Sequence, residues 1–264
     1  MKKKIKKIIS FFVPKGHYKD IIKLKYYNFF SKKNVVFGIN FEPIKYFSTT
    51  YNDLKFRSVD PLYNVVPDFD FYQNFYKVKD NDVIIDAGSN CGYLALLFSK
   101  LSGKNGKVFA FEPDKFNIDC IVENINLNSD LENTIVIEDL LIWNKNTEID
   151  FYEAGTVGSS AVWIPENAIL VKKKAITIDS WVQENNIKKL DFIKMDIEGA
   201  EIEAIEGCLE TIKTLKPNFA IASYHWVNGE QTYIKLEKMF EEMNYPYKTV
   251  KFNKTEIITF AGKI

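Results

Sequence analysis

Acidic side chains crowd one short stretch of the chain. In "LDFIKMDIEGAE" (190–201) an apolar run ends at Asp196, and Glu198 and Glu201 follow at once. A carboxylate at the end of a buried strand costs desolvation unless a ligand or a partner uses its charge. A second concentration is "DAGSNCGY" (86–93), where Asp86 precedes a turn bracketed by Gly88 and Gly92 and holding Ser89 and Asn90, with Tyr93 opening the next segment. Such a turn between a core strand and a helix lets backbone approach a ligand and aims a helix N-terminus at it. The next apolar run closes on "FEPD", placing Glu112 and Pro113 at a neighbouring strand end, where an acid can accept both hydroxyls of a ribose.

The spacing is DxGxNxGY and not GxGxxG, so close glycines around a dinucleotide pyrophosphate are missing. Asp86 before the turn suits a cationic amino group, and Glu112 suits a nucleoside sugar. Together they point to S-adenosyl-L-methionine as the cofactor, with Asp139, after the third strand, at the adenine edge. For proton transfer the candidates are Asp196, Glu198 and His225, the last in "ASYHW" just beyond the following strand. Asp196 and Glu198 form a D-x-E pair, but spacing fixes no third ligand, so the sequence predicts no metal.

The elements that must position these residues alternate. Apolar runs at 83–86, 107–112, 134–139, 190–196 and 219–225 are separated by segments with helical spacing, such as Tyr93, Leu94, Leu97, Phe98 and Leu101. That rhythm predicts an α/β fold, a parallel sheet with helices on both faces. A helical stripe of Tyr233, Leu236, Phe240 and Met243 precedes two alternating segments, "YKTVKF" and "EIITFAG", which predict an antiparallel edge. Residues 1–78 are rich in aromatics and lysine without that repeat, and read as an extension of helices and loops contributing to an acceptor site; 79–264 form the main domain.

Composition narrows the partners. The 264 residues are 46% hydrophobic and 27% charged, ordinary for a globular domain. Lysine plus arginine balance aspartate plus glutamate at 35 each, which leaves no whole-chain charge for nucleic acid. Cys91, Cys120 and Cys208 follow no ligand spacing and suit the free thiols of a cytoplasmic protein. Five lysines within "MKKKIKK", followed by "IISFFV", make residues 1–13 a basic, apolar stretch too short to span a bilayer but suited to peripheral contact with the inner face of an anionic membrane.

"DAGSNCGY", "VFAFEPD", "TIDSW" and "LDFIKMDIEGAE", in that order over about residues 80 to 226, resemble the FkbM family of S-adenosylmethionine-dependent methyltransferases. The resemblance implies a Rossmann-like class I sheet of order 3-2-1-4-5-7-6 with its last strand antiparallel, and methyl transfer to a hydroxyl of a sugar, glycan or small natural product. Gly88, Asn90, Gly92 and Glu112 match the family's cofactor motifs. In that fold Asp196 ends the fourth strand, beside the first, and faces the reacting group. The run 138–146 departs from the family pattern at Leu141 and Trp143. The competing expectation is a non-catalytic, cofactor-binding scaffold of a membrane glycan assembly, which binds the cofactor without turnover. The sequence sets no oligomeric state.

Overall fold

The computed structural model describes residues 16–155, 159–164, 168–253 and 256–263. The segment 1–13, read above as a membrane contact, lies outside them. Among the described residues no helix is long and apolar enough to cross a membrane. The chain divides into two compact units, one ending at Val66 and one beginning at Pro67.

In the first unit a helix, α1 (His17–Phe30), precedes three antiparallel strands, β1 (Val35–Asn40), β2 (Tyr46–Tyr51) and β3 (Leu54–Ser58). The expectation of helices and loops is corrected here. Burial alternates along β2, with Phe47, Thr49 and Tyr51 inward, and continues at Phe56 and Ser58 of β3. Because three of these five inward positions are Thr, Tyr or Ser, the apolar period of two is masked in the sequence. Asn52 and Asp53 both take left-handed φ values, 48° and 66°, in the turn between β2 and β3. Two such residues give the hairpin turn whose twist matches that of the strands.

The second unit opens with the rest of α2 (Val66–Tyr72) and continues through the alternating elements. The division therefore falls before residue 78. Residues 67–78 pack with the sheet: Phe75 lies 4.9 Å from Phe260 and Tyr76 stacks on Phe192 at 5.4 Å between ring centres. In order come β4 (Val83–Ala87), α3 (Tyr93–Ser102), β5 (Lys107–Phe111), α4 (Lys115–Leu127), β6 (Ile135–Glu138), β7 (Leu141–Ile142), β8 (Thr147–Glu153) and β9 (Ile169–Ile176). Then follow α5 (Ile178–Glu184), β10 (Phe192–Met195), α6 (Glu201–Glu206), α7 (Leu209–Thr214), β11 (Asn218–Ala222), the two-residue pair β12 (Trp226–Val227) and β13 (Glu230–Gln231), α8 (Thr232–Glu242), β14 (Tyr247–Lys251) and β15 (Ile257–Ala261).

Seven of these strands form one sheet in the order β14-β15-β11-β10-β4-β5-β6. Numbered within the sheet and read from β6, this is 3-2-1-4-5-7-6, and β15 runs antiparallel to both its neighbours. The α/β class and the strand order expected from the resemblance are thus observed. Strands β10 and β11 are buried at every position, as strands covered on both faces must be. The core on one face joins Ile85, Phe111, Trp181, Ile193, Phe219 and Phe240. Each such side chain contributes roughly 1.5–3 kcal/mol by leaving water. A small sheet of order β7-β9-β8, which the sequence did not reveal, is inserted between β6 and α5. All three cysteines are buried.

Candidate active site

Order in the sheet reverses between β4 and β10, which lie side by side and parallel. At such a switch point the loops leaving the two carboxyl ends diverge and open a crevice. A cavity of about 290 Å³ lies there, near the lower end of small-molecule sites. Its walls include Gly88, Asn90, Glu112, Pro113, Asp196 and Glu198.

The turn after β4 is drawn tight by backbone bonds. The N–H groups of Gly88 and Ser89 both donate to Phe111 O at 3.0 Å, and Asp196 N donates to Ala87 O at 3.0 Å. Gly88 has φ +69°, and a Cβ there would stand 1.8 Å from Asp196 O, so only glycine lets β4 and β10 leave the sheet this close. Glu112 is almost wholly buried. It accepts from Asn90 N at 2.7 Å, Asp114 N at 2.9 Å and Asn117 Nδ2 at 3.3 Å. Burial pushes its carboxyl up to about 7, against the pull of these hydrogen bonds. Asp114 itself caps α4 by accepting from Phe116 N and Asn117 N.

Several expected cofactor residues act behind the cavity wall. Asp86 pairs with Lys194 Nζ at 3.0 Å and accepts from Ser89 Oγ at 2.8 Å. It is fully buried and does not line the cavity, so the amino-group role read from its position is replaced by an internal ion pair. Lys194 also donates to Ala87 O and Gly88 O, at 3.2 and 2.7 Å, and so fastens the turn. Ser89 serves this pair. Gly92 allows the left-handed entry to α3, and neither Gly92 nor Tyr93 lines the cavity. Asp139 is exposed and faces Lys173 at 3.3 Å, outside the cavity. An apolar wall stands instead where an adenine edge was expected, formed by Leu140, Leu141 and Ile142 with Phe111 and Phe151. The sequence departure at Leu141 thus belongs to this wall, built by β7 and β8.

Another part of the cavity wall is acidic. Asp196, just past β10, accepts from Tyr72 Oη at 2.9 Å, and Tyr224 Oη lies 3.5 Å away. Burial first and Asp196 second hold both phenols well above their ordinary range, so they remain donors. Glu198 sits at φ 56°, a left-handed position that is costly for a residue with a Cβ and typical of ligand sites. Burial, then Asp196, push its carboxyl up to about 7. Asp68 and Glu256 complete this wall. Neither these nor the two tyrosines carried a sequence signal, because each reaches the site from a distant segment.

His225 stands behind the wall. Its Nε2 is 3.6 Å from both Asp196 Oδ1 and Glu198 Oε2, and its Nδ1 is 3.0 Å from Glu201 Oε1, close but not aligned as a hydrogen bond. Burial pulls the imidazole down, but Glu201, Asp196 and Glu198 outweigh it and raise it to about 9. Glu201, fully buried, accepts from Ile197 N and Gly199 N and so shapes the turn between β10 and α6.

The chain is similar to known proteins. A family profile described as the methyltransferase FkbM domain matches residues 86–247. A 2-O-methyltransferase, NoeI, from Sinorhizobium fredii is 28% identical over 163 residues, covering 55% of this chain and 64% of that protein. A hexuronic acid methyltransferase, AglP, from Haloferax volcanii is 26% identical over 149 residues, covering 56% of this chain and 58% of the other. The chain thus spans less than two thirds of the length of either relative. The crystal structure of methyltransferase FkbM from Methylobacillus flagellatus superposes with a TM-score of 0.54 at 20% identity, over 71% of this chain and 45% of that one, a likeness of fold.

Proposed function

The chain belongs to the FkbM methyltransferase family, whose profile covers more than half of it, and from that premise we propose that it is an S-adenosylmethionine-dependent O-methyltransferase acting on a hydroxyl of a sugar, a glycan or a small natural product. The observation that carries this reading is the cavity at the switch point, lined by Glu112, an apolar wall and a group of carboxylates. The residues fit the cofactor: Leu140, Leu141, Ile142 and Phe111 suit a flat base, Glu112 suits a ribose diol, and the acidic part of the wall suits a cationic sulfonium. The names of the two relatives favour a sugar hydroxyl as acceptor.

When bound, S-adenosylmethionine supplies a methyl group on a good leaving group. The chain's own work is then to hold an acceptor oxygen in line and to take its proton. Holding reacting groups in line lowers a barrier by about 7–11 kcal/mol in favourable cases. Glu198, pushed up to about 7, is poised to accept the hydroxyl proton near neutral pH, a contribution of roughly 10²–10⁴ in rate. Asp196, fixed by Tyr72, supplies negative potential and a hydrogen-bond acceptor for the acceptor substrate. His225 acts on both carboxylates from behind. A peripheral position at the inner face of a membrane, through residues 1–13, belongs to the same reading, and removing those residues should abolish liposome binding while leaving turnover intact.

The test is titration of the purified chain with S-adenosylmethionine and S-adenosylhomocysteine, followed by methyl incorporation into sugar acceptors. Binding and transfer support the proposal. Cofactor binding without transfer to any acceptor tried would favour the scaffold, and absence of binding to folded protein would reject both.

A further inference from the structure

The turn after β10 and the exit of β11 bring three metal-binding side chain types together. Asp196, Glu198 and His225 each present one ligand atom within 4.8 Å of the others. Sequence spacing gave no third ligand for the D-x-E pair, and the structure supplies it from the neighbouring strand. Ligands bound at about 2.1 Å lie roughly 3.0 Å apart along an octahedral edge and roughly 3.4 Å apart along a tetrahedral one. The two 3.6 Å separations from His225 Nε2 are close to these edges.

Two further features point to a cation. The His225 side chain is 10% exposed, its Nε2 has no hydrogen-bond partner, and that atom is directed between two carboxylate oxygens. Behind it, Glu201 lies 3.0 Å from Nδ1 and is itself held by two backbone N–H groups. A carboxylate behind an imidazole fixes the ring and the tautomer that offers Nε2 to a metal.

We propose that Asp196, Glu198 and His225 bind one first-row divalent cation, with Glu201 as a positioning residue. One imidazole nitrogen with two carboxylate oxygens suits Mn²⁺, Fe²⁺ or Zn²⁺ better than Mg²⁺, which favours an all-oxygen shell. Asp196 and Glu198 also line the cavity, so remaining coordination positions would be open to it. Resting on the function proposed above, an acceptor hydroxyl bound there would become more acidic. Its oxygen would form the new bond to the methyl carbon, the carbon–sulfur pair would pass to sulfur, and the proton would go to the Glu198 oxygen not used by the cation.

The full chain, freed of metal by a chelator and dialysed, is titrated with MnCl₂ while free Mn²⁺ is followed by electron paramagnetic resonance, with ZnCl₂ as competitor. The expected result is one Mn²⁺ per chain, displaced by Zn²⁺. Affinity should fall at least tenfold in Glu198→Gln and His225→Gln, and about threefold to tenfold in Glu201→Gln, in variants whose melting confirms a folded state. Failure of both cations to bind, or binding unchanged in the two ligand variants, would overturn the proposal and leave His225 as an imidazolium balancing the carboxylates. Titration with S-adenosylmethionine in parallel separates the two readings. Cofactor binding without metal binding rejects only this site, and metal binding without cofactor binding rejects only the methyl-transfer reading.

Discussion

Lys194 and Asp86, register partners on β10 and β4, form an ion pair of 3.0 Å with side chains 4% and 0% exposed. Neither charge reaches the cavity, so the pair's work is to hold the two strand ends that frame it. Removing one partner strands the other in a low dielectric, which costs about 3–5 kcal/mol. Lys194→Met should therefore lower the unfolding free energy by about that amount in urea titration. A loss below about 1 kcal/mol would mean that water reaches Asp86.

Glu112 sets a pH dependence. Its carboxyl is raised from 4.5 to about 7, so the folded chain holds this proton more tightly than the unfolded chain does. The group favours the fold below its unfolded value, and that advantage is lost as pH rises through about 7, leaving a penalty of about 3 kcal/mol at most above it. Ribose hydroxyls need the ionised acceptor, so cofactor binding runs the opposite way. Affinity for S-adenosylhomocysteine should be about tenfold weaker at pH 6 than at pH 8, and calorimetry on Glu112→Gln should show weak binding without that slope.

Asp196→Asn should retain cofactor binding and lose about 10²–10⁴ in kcat, the scale of a group engaged with the reacting hydroxyl. Tyr72→Phe removes one hydrogen bond to Asp196, worth about 0.5–1.5 kcal/mol, so methyl transfer should slow about twofold to tenfold. Equal rates in Asp196→Asn and wild type would show that Asp196 does not engage the reacting hydroxyl.

Gly88→Ala combines a left-handed φ with a Cβ 1.8 Å from Asp196 O. Backbone strain alone is of order 1–3 kcal/mol. The variant should be destabilised by at least that much and should bind cofactor poorly. A folded variant with normal affinity would show that β4 and β10 can separate without loss.

The sequence by itself determined the sheet. Apolar runs at 83–86, 107–112 and 190–196 became parallel strands of the main sheet, legible because short apolar runs alternate with segments of helical spacing, and the motif set carried the family and Glu112's position. The Gly88 turn and the site of Asp196 followed from strand ends, which are local features. Tertiary structure decided which charges meet. Asp86 read as a cofactor acid, yet cross-strand register joins it to Lys194 and keeps both out of the cavity wall. Tyr72 reaches Asp196 across 124 positions, and no local pattern encodes that contact. His225 likewise becomes the third vertex beside Asp196 and Glu198 only because β11 pairs with β10. Strands form from nearest-neighbour chemistry, whereas electrostatic partners are selected by distances of a few ångströms, which exist only once the sheet is assembled.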